Sequence, residues 1–338
     1  MYRDGNMLYS GINIEVNKKE AGKYFKMSID NGNLEAANSY GLYLLHKKNN
    51  EEACKYFKIA ADREDLNGLH NYGHMLKDGI GIEANKQESI KYFKMAAEKG
   101  NILSMIYYGC LLQEGKDVPI DKEKAVEYFR SAANKGNAEG MCRYAYALIN
   151  GIGINVDKEE AAKYYKKAID KGFSQAAVEY GYHLEKGIGF EVNKEEAKTL
   201  YKLAADKGNV NGINNYGWIC FSMGSTNEDY EEAIKYLKKA SDLGYLISLV
   251  NYGYMVDNGY GIQCDHEEAR KCYQKVIEKG GTKEIFTVAE ILENGNGIQK
   301  NEKEAARLYK LAADAGHSDS MFNYAKMAEN GCGIQTNK

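Results

Sequence analysis

A Tyr-Gly pair recurs along this 338-residue chain at a fixed interval: Tyr40-Gly41, Tyr72-Gly73, Tyr108-Gly109, Tyr180-Gly181, Tyr216-Gly217 and Tyr252-Gly253. Tyr144-Ala145, Tyr324-Ala325 and Val288-Ala289 keep the register with altered residues. Neighbouring copies stand 36 residues apart, except for one interval of 32 between Gly41 and Gly73. Such a period marks stacked supersecondary units, each too small to bury its own apolar face, and argues against an enzyme-like core. Length here counts repeats, not domains.

One unit shows the grammar. From Asn137 to Asn150, Met141, Tyr144, Leu148 and Ile149 fall at helical spacing. Gly151-Ile152-Gly153-Ile154 then breaks the helix, because paired glycines favour turn conformations. A second helix is predicted from Lys158, with Asp157 as N-cap and Glu160 completing a capping box. Gly172 ends it as a left-handed C′ residue. The equivalent N-caps are Asn17, Asn49, Asn85, Asp121, Asn193, Asp229, Asp265 and Asn301, and of all nine only Asp121 lacks the following Glu. The terminating glycine returns at Gly32, Gly100, Gly136, Gly208, Gly244, Gly280 and Gly316, with Glu64 in its place once. Agreement of caps, breakers and apolar spacing predicts nine second helices, nine complete first helices and a remnant before residue 10.

Glycine inside a helix costs roughly 1 kcal/mol relative to alanine. Its recurrence after tyrosine predicts close approach of a neighbouring helix. Aromatic pairs in the second helix, such as Tyr24-Phe25, Tyr56-Phe57, Tyr92-Phe93 and Tyr128-Phe129, are expected to fill the space between layers. These positions and the tyrosines before glycine account for 18 of the 28 tyrosines, so the tyrosine content reads as architecture and not as a base-stacking surface.

Composition removes several classes of function. Net charge is −3 and no dense Lys/Arg block appears, which disfavours nucleic acid. No apolar run reaches the roughly 18–20 residues of a membrane span. The opening Met1-Tyr2-Arg3-Asp4-Gly5-Asn6 lacks the layout of a secretory signal. Seven cysteines without a C-x-x-C pair read as reduced thiols, so a cytoplasmic location is expected. His70 and His74 have zinc-compatible i, i+4 spacing, but position 70 is apolar in other units and no third ligand is evident. The Gly-x-Gly turns join helices with no preceding strand and no Gly-Lys-Ser/Thr, so no nucleotide or other cofactor is expected. No Ser/His/Asp or Cys/His constellation stands out, and no catalytic residue or metal ligand is assigned.

The run A-x-x-x-Y-G-x-x-L-x-x-G-x-G-I followed by K-E-E-A-x-x-Y-x-K-x-A-A-D-x-G resembles the Sel1-like repeat, a relative of the tetratricopeptide repeat. Ala176, Tyr180, Gly181, Leu184, Gly187 and Gly189 carry it in one unit, completed by Ala197, Tyr201, Ala204, Ala205 and Gly208. The resemblance implies an all-α, right-handed superhelical solenoid of stacked helix-turn-helix repeats with a concave groove lined mainly by first helices. It also implies an adaptor or scaffold that takes protein or peptide partners, with neither nucleic acid nor membrane involved. One array is expected: a partial unit 1–32, units 33–64, 65–100, 101–136, 137–172, 173–208, 209–244, 245–280 and 281–316, and a partial unit 317–338. Aligning Gly11-Ile12-Asn13-Ile14 with Gly187-Ile188-Gly189-Phe190 puts Gly5 at the helix glycine, and a further second helix should begin at Asn337-Lys338. Neither end resembles a polar capping repeat, so a longer array, or end-to-end self-association, is expected.

Numbered from the helix glycine, offsets −2 and +1 share a helix face that is polar or mixed. Asparagines recur at −2, and their paired donor and acceptor suit a peptide amide. Large aromatics recur at +1, where a purely solvated stripe would avoid them. The candidate partner-binding residues are Asn71, Tyr107, Arg143, Tyr146, Glu179, Tyr182, Asn215, Trp218, Asn251, Tyr254 and Asn323, centred on Asn215, Trp218, Asn251 and Tyr254. Two units are irregular: the one after Gly41, shortened at His46-Lys47-Lys48-Asn49-Asn50, and the one after Gly217, without Gly-x-Gly. Two other readings stay open: a regulatory array attached to a catalytic domain outside these residues, and a β-lactam-binding or hydrolytic relative.

Overall fold

In a computed structural model of the protein, residues 1–11, 15–295 and 300–333 are described. They form nineteen α-helices and no strand. The chain divides into two compact units, Met1–Gly172 and Phe173–Lys338. The first holds α1 (Tyr2–Ser10), α2 (Lys18–Asp30), α3 (Ala37–His46), α4 (Asn50–Asp62), α5 (Leu66–Asp78), α6 (Lys86–Glu98), α7 (Ile102–Glu114), α8 (Lys122–Asn134), α9 (Ala138–Asn150) and α10 (Lys158–Asp170). The second holds α11 (Ser174–Lys186), α12 (Lys194–Asp206), α13 (Val210–Met223), α14 (Asn227–Asp242), α15 (Leu246–Asn258), α16 (His266–Lys279), α17 (Thr282–Asn294), α18 (Glu302–Asp314) and α19 (Ser318–Asn330). Odd-numbered helices are the first helices of hairpins and even-numbered ones the second. Within each unit every helix packs on its sequence neighbours, so both units are stacks of helical hairpins. The aligned residues 12–14 and the residues 334–338 lie outside the described set. Among the described residues no helix is long and apolar enough to cross a membrane.

Every described hairpin but α13–α14 is closed by one backbone bond. The N-cap N–H of the second helix donates to the carbonyl three residues after the helix glycine: Asn85 to Leu76, Asp121 to Leu112, Asn193 to Leu184, Asn301 to Leu292. The shortened unit keeps this lock, with Asn49 donating to Leu44 at 3.0 Å. Lys48 makes the tighter turn by taking a positive φ of 60°. The lock also corrects an expectation. Full capping boxes do not form at Asn17, Asn85, Asp157 or Asn193, because the N–H that Glu would bind is already spent. The N-cap side chains still accept from the third helical N–H, as Asp157 does from Glu160 at 2.9 Å.

The expected close approach is present at the helix glycine. A Cβ at Gly41 would lie 2.6 Å from the Phe57 ring, and one at Gly253 would lie 2.9 Å from Tyr273. The second-helix ring therefore packs directly against the helix glycine of its own hairpin, as Phe25, Phe57, Phe93, Phe129, Tyr201 and Tyr273 do. The first aromatic meets the tyrosine preceding that glycine edge-on: Tyr40–Tyr56 at 4.7 Å, Tyr72–Tyr92 at 4.8 Å and Tyr216–Tyr236 at 4.7 Å between centroids. In the Gly-x-Gly turn, Gly151 takes the left-handed cap, with φ 64°. Gly153 sits where a side chain would strike the Lys122 backbone of the preceding second helix.

The unit after Gly217 departs from this scheme. Helix α14 starts one turn earlier than expected, capped by Thr226 and not by Asp229. Asp229 becomes the third helical residue, and its carboxylate accepts from the N–H of Ser225 and of Thr226. Its own N–H donates to the Thr226 hydroxyl in place of the hairpin lock. This is the one complete capping box in a second helix among those described.

Candidate interaction surface

The offset −2 asparagines face the preceding hairpin. In α13, Asn215 stands beside the Tyr201 hydroxyl and opposes the rise in its pKa, while Tyr201 donates to Glu185 at 2.9 Å. Asn323, Tyr309 and Glu293 repeat this relay, with the Tyr309–Glu293 bond at 2.7 Å. Burial pushes both phenols far above their ordinary range, and the neighbouring carboxylate adds to it. Asn251 donates to Asn214 at 3.3 Å, and Asn71 donates to Asn38 at 2.8 Å. These asparagines are thus first of all inter-hairpin fasteners. Each amide has two N–H donors and a carbonyl acceptor, so one bond does not exhaust it.

The remaining candidates divide between the two units. In the first, Arg143 makes a two-pronged contact with Glu139 at 2.7 and 2.9 Å and lies over the Phe129 ring. Tyr107 is half-buried against Phe93, at 4.4 Å between centroids, with the Lys77 ammonium over its face. Tyr146 is exposed. In the second unit, Glu179 accepts from Gln175 at 3.3 Å, and Tyr182 is 46% exposed. Trp218 is 36% exposed, although it stands in the middle of a buried helix.

Trp218 belongs to a larger group than the sequence implied. Its ring lies 5.3 Å from Phe221, which lies 5.7 Å from Tyr230, 6.0 Å from Tyr254 and 5.2 Å from Tyr260. Five aromatic rings from two successive hairpins thus form one continuous, partly exposed cluster. Phe221, Tyr230 and Tyr260 were not among the candidates. The available signal was the residue types themselves: Phe221 stands in α13 where other units carry Lys77, Gln113 or Glu185, and Tyr230 stands in α14 where they carry Lys86, Lys122, Lys158 and Lys194.

His70 packs inside the first unit. It is buried, its Nδ1 lies 2.8 Å from the Ser104 hydroxyl, and its ring meets that of His74 at 4.7 Å. Burial, with the nearby His74 and Lys77, lowers its pKa from 6.5 to about 4. No group of three His, Cys, Asp or Glu residues suited to a metal occurs among the described residues.

The Sel1 repeat model matches residues 1–33, 35–65, 67–101, 102–137, 138–173, 174–209, 210–245, 247–281 and 286–317. Among solved structures, the chain is similar to c5321, a protective antigen of uropathogenic Escherichia coli strains displaying an SLR fold. The identity is 22%, the TM-score 0.78, and the match covers 99% of this chain and 72% of that one. It is also similar to a Sel1 repeat protein from Oxalobacter formigenes, at 19% identity and TM-score 0.54, over 82% of this chain and 96% of that one. No match is found among curated protein sequences. At these identities the structural likeness speaks for the fold alone. The repeat matches run over nearly the whole length, and the chain belongs to the Sel1 repeat family.

Proposed function

We propose that this protein is a non-catalytic adaptor that holds an extended segment of a protein partner against the first-helix face of its second unit. The supporting observation is the aromatic cluster of Trp218, Phe221, Tyr230, Tyr254 and Tyr260, five contiguous rings left partly open to solvent. Aromatic rings supply large contact area at low entropic cost and dominate binding energy at interfaces. Asn251 spends one N–H on Asn214, which leaves a second N–H and a carbonyl oxygen for a peptide amide. Stacked helical repeats commonly present such faces to other proteins. Exposed Tyr182 extends the surface, and Asn215 borders it. The first-unit candidates Asn71, Tyr107, Arg143 and Tyr146 form a separate face of the same helix register. The thiols of Cys54, Cys110, Cys220, Cys264, Cys272 and Cys332, none in a disulfide, suit a reducing, cytoplasmic setting.

The test is selection of a displayed random-peptide library on the full chain. Peptides should enrich, and replacing Trp218, Phe221 and Tyr254 by serine should abolish their binding while the helical circular-dichroism signal is retained. Selected peptides that bind the triple variant as well as the parent would refute the reading.

A further inference from the structure

The hairpin α15–α16 keeps the phenol of the buried relay seen in α11–α12 and α17–α18 but not its bonds, and the difference leads to a surface thiol. Its phenol is Tyr273, equivalent to Tyr201 and Tyr309. The carboxylate position, glutamate in both neighbours that keep the relay, is Asp257, one methylene shorter. The asparagine position is Thr287, whose hydroxyl turns back to the Lys283 carbonyl at 3.2 Å. As a result the buried Tyr273 hydroxyl and Asp257 Oδ2 both lack a hydrogen-bond partner. Asp257 directs its other oxygen outward, accepting from His266 Nδ1 at 2.7 Å. The carboxylate is fully buried, whereas the imidazole side chain is 60% exposed.

His266 stands where other second helices begin with lysine: Lys86, Lys122, Lys158 and Lys194. Two residues earlier, Cys264 replaces Ala84, Ile120, Val156 and Val192. The Cys264 thiol is exposed and lies against the His266 ring, 3.6 Å from Nε2 and 3.8 Å from Nδ1, while it donates to the Asp257 carbonyl oxygen at 3.1 Å. Residues 257, 264, 266 and 287, each different here from the relay hairpins α11–α12 and α17–α18, therefore bear on one place. Burial raises the Asp257 carboxyl, and His266 and then Arg270 oppose that shift. With Nδ1–H committed to the carboxylate, Nε2 is the ring's acceptor, within reach of the sulfur after a rotation of the Cys264 side chain.

We propose that Cys264, with His266 as its base and Asp257 as the group that positions the imidazole, is a thiol modification site that forms mixed disulfides with low-molecular-weight disulfides. The thiol proton passes to His266 Nε2, and the sulfur attacks one sulfur of the disulfide. A new S–S bond forms as the old one breaks, and the departing thiolate carries away the electron pair and recovers a proton from the imidazolium. Cys264 is oxidised and the departing sulfur reduced, so the disulfide itself is the oxidant. Cys54, Cys220 and Cys272 are buried, and burial raises each of these thiols. They are poor competitors. The site does not depend on the peptide-binding reading.

The experiment treats the full chain with a small aromatic disulfide, follows thiolate release, and maps the first adduct by peptide mass. The first thiol to react should be Cys264, and Cys264→Ser should remove that phase. His266→Ala should slow it about tenfold at neutral pH, and added imidazole should recover part of the loss. Asp257→Glu should slow it comparably while leaving the melting temperature equal or higher, because the longer carboxylate reaches Tyr273 and releases His266. A first adduct on Cys110 or Cys332 would overturn the proposal. So would an unchanged rate in His266→Ala, or a loss that imidazole does not recover.

Discussion

Hairpins α11–α12 and α15–α16 share a backbone plan yet use their buried polar atoms in opposite ways. In the first, Glu185, Tyr201 and Asn215 satisfy one another between layers. In the second, Asp257 and Thr287 leave Tyr273 unbonded, and the carboxylate turns to an exposed histidine. Both keep the ring on the helix glycine, at Gly181 and Gly253. The hairpin is therefore held mainly by ring packing and the backbone lock, and the polar relay is an addition found at Tyr201 and Tyr309 and absent at Tyr273. Losing it releases a carboxylate for surface chemistry.

The largest test breaks what both hairpins share. Tyr201→Ala empties a fully buried ring site and should cost about 3–5 kcal/mol in denaturant unfolding. If it costs no more than a surface substitution, ring packing is not what holds the hairpin. A buried polar group in the first unit offers a contrast. His70 is held neutral, with its pKa lowered from 6.5 to about 4. Its contribution is complete above about pH 6.5 and is lost as pH falls toward 4, by up to about 3 kcal/mol. Unfolding near neutral pH and at about pH 4.5 should show that loss, and His70→Gln should flatten it.

Next, Glu185→Ala leaves the Tyr201 hydroxyl without its acceptor and should cost about 1–3 kcal/mol. Asp257→Glu makes the converse change, and its gain should be about 0.5–1.5 kcal/mol by thermal melt. Equal effects of like sign would erase the distinction between the two hairpins. The smallest effect is expected at a feature common to both: Asp157→Ala removes a cap and should cost about 1 kcal/mol.

What was legible in the sequence was what depends on residues near one another along it. Glycine turns, N-caps and the period are local, and they placed the helices to within a turn. Asp229 was misassigned because Thr226, three residues earlier, offers an equally good cap once the glycine turn is missing. The capping boxes failed because the lock from Asn85 to Leu76 joins two helices and leaves no trace in the four-residue motif. Side-chain length decided the rest. That Glu185 reaches Tyr201 while Asp257 does not is a difference of one methylene across 16 residues. The −2 asparagines stood out as a face, but their bonds to the preceding hairpin are set by inter-layer distance. Trp218 and Tyr254 stand out as single residues on one face, whereas Phe221, Tyr230 and Tyr260 join them through contacts between α13, α14 and the turn after α15 that no local pattern encodes.

The chain contains a single tryptophan, and it lies in the proposed contact surface. Titrating the full chain with a library-selected peptide while recording Trp218 emission is therefore the most direct measurement. The emission should shift and saturate with peptide, and Phe221→Ser with Tyr254→Ser should abolish both the shift and the binding. A peptide that binds while Trp218 emission stays constant, and binds equally after those substitutions, would contradict the account.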